Sequence, residues 1–193
     1  MIPPKDYATA QAYTGESEKL PIGGHICKII SARVEQARSG GDMLVLAFDI
    51  NEGSPADGFY KRAYDRAKGY RADAKWPGVY RSTVTKQDGS TNPMFKGLIT
   101  AIEKSNPSFV WGWDETALKG KFVGFNFGEE EYLNSQNEIR VNVKPRFPAT
   151  VEDVRSGNMV APALKKLGNK GEHIGGNSFT AVSPAEEKLP WEE

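Results

Sequence analysis

A single cysteine, Cys27, stands among 193 residues. That count excludes an intrachain disulfide and any cysteine-rich zinc site, and it suits a reducing compartment. The two histidines, His25 and His173, form neither a metal-ligand spacing nor a nucleophilic triad. No apolar run reaches the roughly 18 residues that a membrane-spanning helix needs. The opening residues Met1 to Asp6 lack a basic head followed by an apolar stretch, so no secretory signal is expected. No GxxxxGK[ST] phosphate loop is present, and no cofactor is expected. Net charge is missing as well, because 25 Lys+Arg balance 25 Asp+Glu. A wholly basic, histone-like binder is therefore excluded, although local charge is left open. What remains is a cytoplasmic globular chain of one domain with extensions.

Residues 1–19 are polar, with Pro3-Pro4 and no period, and are expected to form a loosely docked arm. From His25, Ile26, Ile30 and Val34 fall at even positions and predict a long first strand. Ser39-Gly40-Gly41-Asp42 marks a turn. Leu44, Leu46, Phe48 and Ile50 then share one face at period two, the clearest strand in the chain. Phe59 to Tyr64 reads as a third, shorter strand. Asn92 as N-cap, Pro93 at the first helical position, and Phe95, Leu98, Ile99 and Ile102 at helical spacing predict one helix. Asn106-Pro107 stops it, and residues 108–120 form an aromatic-anchored connection. Val123, Phe125 and Phe127 alternate, as do Ile139, Val141 and Val143, which predicts a hairpin whose long loop runs from Gly128 to Glu138. Thr150 caps a last short helix ending at Gly157. Residues 161–193 are read as a flexible tail, Gly/Ser/Asn-rich beyond Asn169 and too polar to offset the entropy of ordering.

The order strand, strand, strand, helix, strand, strand matches the OB-fold, a five-stranded, partly open Greek-key barrel. The expected domain spans residues 20–160 and is mainly β. In this architecture the second and third strands and neighbouring loops bind oligonucleotides or oligosaccharides.

The chemical signal lies in residues 60–86. Eight bases (Lys61, Arg62, Arg66, Lys68, Arg71, Lys75, Arg81, Lys86) stand against two acids (Asp65, Asp73), interleaved with five aromatics: Tyr60, Tyr64, Tyr70, Trp76 and Tyr80. Single-stranded nucleic acid calls for this combination, since cations neutralise phosphates and aromatic faces stack on unpaired bases. The alternative for each aromatic is a core or loop anchor, and for the cations a solvated face. Arg38, beside the turn between the first two strands, is a further candidate. The stretch Gly128 to Glu138 carries four Glu and no base, and should repel phosphate or cover the basic face.

Near the end, Leu189-Pro190-Trp191 sits between Glu186-Glu187 and Glu192-Glu193 and reads as a partner-binding motif. Trp191 packing back on the chain, or the acidic tail occupying the basic face, are the alternatives. Enzymatic readings find little footing. A two-metal nuclease would need Asp49, Asp57, Asp65 and Asp73 to converge.

Several stretches resemble a phage and prophage family of small replication and recombination proteins, regarded as OB-fold single-stranded-DNA-binding proteins. They are Leu20-Pro21-Ile22-Gly23-Gly24-His25, Ser39 to Ile50, Leu118-Lys119-Gly120-Lys121, and Val154-Arg155-Ser156-Gly157. The family pattern has Tyr where His25 stands. The tail is similar to the acidic Pro-aromatic tails of bacterial single-stranded-DNA-binding proteins, except that two Glu follow Trp191. The resemblance implies a sequence-tolerant, non-catalytic binder of single-stranded DNA in the cytoplasm of a bacterial host. It also implies replication or recombination proteins as partners of the tail. A protein-binding OB adaptor is the alternative. A homodimer is plausible because a lone barrel covers few nucleotides.

Overall fold

The computed structural model describes residues 2–5, 7, 8 and 18–168. Five antiparallel strands form one sheet in the order β3-β2-β1-β4-β5. They are β1 (Gly23–Gln36), β2 (Asp42–Ile50), β3 (Val79–Thr83), β4 (Phe122–Leu133) and β5 (Ile139–Ala149). Helix α1 (Phe59–Lys68) lies between β2 and β3, α2 (Pro93–Ser105) between β3 and β4, and α3 (Val151–Arg155) follows β5. The protein is mainly β, as expected.

The alternation in β2 is borne out: Leu44, Leu46, Phe48 and Ile50 are all buried. In β1 the even-position reading holds only in part, because Ile26 is buried but on the face opposite Cys27. Cys27 and Ile29 face the core, whereas Ile30 and Val34 are exposed. A bulge breaks the period, since the register with β2 slips between Ile29 and Ser31. Odd residues face the core before it and even ones after it, with Ala32 opposite Leu46 and Val34 opposite Leu44 near the exposed strand end. Around that bulge Ile29 bonds outside the ladder, donating to Lys121 O and accepting from Gly120 N. Helix α2 forms as expected, with the Asn92 side chain accepting from Met94 N at 2.9 Å and Phe95, Leu98, Ile99 and Ile102 buried. A reciprocal capping box of Thr150 and Asp153 starts α3.

Two elements differ from expectation. Phe59 to Tyr64 is no strand but the first half of α1, and the third strand is Val79–Thr83. Tyr60, Ala63, Tyr64 and Ala67 follow helical spacing, and the segment holds no β-branched residue. The stretch Gly128 to Glu138 is also not a long loop. The β4–β5 ladder continues to Leu133 opposite Ile139, leaving only a tight turn.

The sheet curls strongly without closing. Tyr80 on β3 and Phe125 on β4 lie three strand spacings apart along the sheet, roughly 14 Å if it were flat. Their ring centroids are 4.8 Å apart across the core. Helix α2 touches β3, β4 and β5, helping to fill the mouth of this curl. The edge strands β3 and β5 do not pair, so the expected barrel is an open, curled sheet. Pro145 and Pro148 in β5 have no N–H to donate, which suits an edge strand and disfavours closure.

Candidate nucleic-acid interface

The basic segment is built on a helix pinned to the sheet end. The residue preceding α1, Gly58, adopts φ 70° and offers no side-chain cap. Asp49 at the end of β2 replaces it, accepting from Tyr60 N at 2.8 Å and from Lys61 N at 3.1 Å. A carboxylate there also complements the positive end of the helix. Asp49 is thus a structural cap. Its position on the polar side of the strongest strand was the only sequence signal for it.

The five aromatics divide by role. Tyr60 and Tyr80 belong to the core, at 7% and 8% exposure. Tyr60 meets Phe48 edge-on at 5.4 Å, and burial raises its phenol well above the usual range. Burial pushes the Tyr80 phenol up to about 12. Neither ring is open to a base, so both drop out as stacking residues. Trp76 is half-buried and donates from Nε1 to Phe48 O at 2.9 Å, while its ring packs against Tyr64 at 5.3 Å. Lys68 lies over the other ring, its Nζ 5.5 Å from the Tyr64 centroid. Tyr70 is 73% exposed.

The loop after α1 returns to the sheet at Gly78, whose carbonyl accepts from Phe48 N at 2.9 Å. A Cβ at Gly78 would lie 2.7 Å from the Tyr60 ring and closer still to Phe48 O, so only glycine fits this approach. Tyr60, Trp76 and Gly78 therefore clamp a charged segment onto the core.

The cations also divide. Arg62 is engaged by Glu18 at 2.5 Å and by the carbonyls of Pro55 and Asp57, and its guanidinium holds the Glu18 carboxyl below the usual carboxylate range. Lys61 pairs with Asp65 at 2.5 Å, one helical turn on. Arg66, Lys68, Arg71, Lys75 and Arg81 are exposed and have no ion-pair partner among the described residues. Arg38 lies apart from α1. It sits in the β1–β2 turn, at the far end of β2 from the helix cap, roughly 27 Å away at strand rise. Arg33 is a basic residue that the sequence reading passed over. It lies in register with Val45, which is in register with Arg81, so all three share a row across β1, β2 and β3. Glu35 holds Arg33 at 2.5 Å.

The acidic stretch is tied down. Lys165 runs alongside β4, with Glu131 N donating to its carbonyl and its N–H donating to Glu129 O, while its Nζ reaches Glu130 at 2.6 Å. Lys165 and Leu167, within the segment expected as a flexible tail from 161, thus bond to the hairpin. Leu189, Pro190 and Trp191 lie outside the described residues.

A second aromatic group is exposed elsewhere. Trp113 is 72% exposed in a left-handed conformation (φ 66°) and stacks on Trp111 at 4.8 Å, beside the 80% exposed Val110. Among the described residues no helix is long and apolar enough to cross a membrane. The motifs that carry the family resemblance have structural roles: Pro21 O accepts from His25 Nε2, and Gly120 and Gly157 turn the chain at positive φ. Neither a protein-family model nor a curated protein matches the chain.

Proposed function

We propose that the protein binds single-stranded DNA without sequence preference, through the solvent face of α1 and the loop that follows it. One observation carries the reading: five exposed cations without ion-pair partners among the described residues (Arg66, Lys68, Arg71, Lys75, Arg81) share one segment with the exposed Tyr70 and the half-open Trp76–Tyr64 pair, over which Lys68 lies. Free cations exchange counterions for phosphates, and an exposed ring stacks on a base at about 1–3 kcal/mol. Duplex DNA, whose bases already stack on each other, has no use for Tyr70. The biological setting we propose, from the resemblance, is phage or prophage replication or recombination, with the Leu189-Pro190-Trp191 motif recruiting partner proteins.

The test is fluorescence anisotropy of labelled oligo-dT and mixed-sequence strands across a salt series, with duplex as competitor. Affinity falls steeply with salt and single strands outcompete duplex. An absence of binding at low salt, or a preference for duplex, sinks the proposal. In that event a protein-binding adaptor takes its place, for which Trp113 and Val110 supply an exposed apolar contact.

A further inference from the structure

The β4–β5 hairpin projects past β1, whose pairing with β4 begins at Gly23 opposite Phe127. Beyond that point β4 is covered on its outer side by Lys165, but β5 has no neighbour on its outer side among the described residues. The direction of the free groups follows from the ladder. Glu131 N and Glu129 O bond to Lys165, on the side of β4 away from β5. In an antiparallel ladder, residues opposite one another share that alternation. Val141 and Val143, the partners of Glu131 and Glu129, therefore aim their own N–H and C=O outward from β5, and Ile139 does so by period two. The same three residues present an apolar row, with Ile139 63% and Val141 50% exposed. Arg140, Asn142 and Lys144 occupy the opposite face of the strand.

We infer that this edge pairs with the same edge of a second copy of the chain, antiparallel about a two-fold axis at Val141. In that register Val141 faces Val141 of the second copy and Ile139 faces Val143, each pair exchanging both backbone hydrogen bonds. Glu138 then stands opposite Lys144, and Arg140 opposite Asn142. Sliding the strands by one bonding step in either direction places Arg140 against another Arg140 or against Lys144. Like charges directly opposite are destabilising, so the sequence Glu138-Ile-Arg-Val-Asn-Val-Lys144 selects one register and rejects its neighbours. Pro145 ends the usable edge because it lacks an N–H. The contact joins two hairpins into a four-stranded ribbon. Seven paired residues on each strand bury well under the roughly 1,000 Å² of a stable interface, so the dimer is weak and concentration-dependent. This inference is independent of the DNA-binding proposal.

Sedimentation velocity on the full chain, over roughly three decades of concentration in the micromolar range, reads the association. The wild type shows a reversible monomer–dimer equilibrium. Lys144→Glu sets Glu against Glu138 and raises the dissociation constant about tenfold. Adding Glu138→Lys to it restores dimerisation. Val141→Pro removes the N–H at the two-fold axis, which the β4 ladder does not use, and abolishes the dimer. Circular dichroism confirms that each variant is folded. A wild type that stays monomeric at the highest concentration overturns the inference. So does a dimer indifferent to Lys144→Glu and Val141→Pro, or a charge exchange that fails to restore it.

Discussion

The basic segment around α1 and the acidic β4–β5 hairpin invert what their compositions imply. In the first, two of five aromatics are sunk in the core and a third is held by a hydrogen bond to the sheet. What faces solvent there is charge, with Tyr70 the one ring fully presented. In the second, two of the acids are engaged by a neighbouring segment, with Glu130 bonding Lys165 and Glu131 bonding Leu167 N, while isoleucine and valine stand in solvent. Aromatic does not mean available, and acidic does not mean free. Backbone position decides, because a side chain's role depends on which face of its element meets the core.

Tyr60→Ala is the severest challenge to this contrast. Loss of a buried ring lowers the unfolding free energy by about 3–5 kcal/mol, read by urea denaturation. A loss under about 0.5 kcal/mol would place Tyr60 at the surface after all. On the binding side, Arg66→Glu with Arg71→Glu reverses two free cations. The slope of log affinity against log salt should shrink by about 1.4, or about 0.7 per lost phosphate contact. Arg62→Ala leaves that slope unchanged, because Glu18 already neutralises Arg62; equal effects from the two experiments would erase the distinction between free and engaged cations. Tyr70→Ala weakens oligonucleotide binding by about 1–3 kcal/mol and leaves the melting temperature where it was.

Smaller effects come from the caps. Thr150→Ala removes the α3 capping box and costs about 1 kcal/mol in thermal unfolding. The Thr150 hydroxyl and backbone hydrogen bonds hold the Asp153 carboxyl below its usual range. A carboxyl lowered in the folded state contributes stability above its unfolded pKa, near 4, and loses it as the pH falls through the folded value. The variant should therefore show a shallower acid-side loss than the wild type. Identical acid profiles would remove Asp153 from the account. Ile139→Ser, at the hairpin tip, changes the stability of dilute protein by no more than about 0.5 kcal/mol. A large loss would mean that the tip is part of the core.

Legibility in the sequence varied with how local the determining interactions are. The strand Leu44 to Ile50 and the helix from Asn92 announce themselves, because alternation, cap and stop signals all lie within a few residues. The first strand misled because Ile26 is buried on the face opposite Cys27 and because the bulge at Ile30, which changes the phase, leaves no mark in composition. Phe59 to Tyr64 reads as a strand because six such residues fit a short strand as well as a helical turn. The cap that decides in favour of the helix, Asp49, lies eleven residues upstream of Tyr60 on another element.

The sequence by itself determined the mainly β class, the helix before the fourth strand, and the clustering of positive charge in one segment. Those follow from periodicity and counting, which need no third dimension. Only the tertiary structure decided which residues of that segment are exposed, that the sheet curls without closing, and that the acidic stretch is a ladder with one free edge. Each depends on pairings between residues distant in the chain: Phe48 with Trp76 and Gly78, Tyr80 with Phe125, and Lys165 with Glu129 and Glu131. Such pairings are selected by burying the core as a whole, so no single stretch of sequence encodes them.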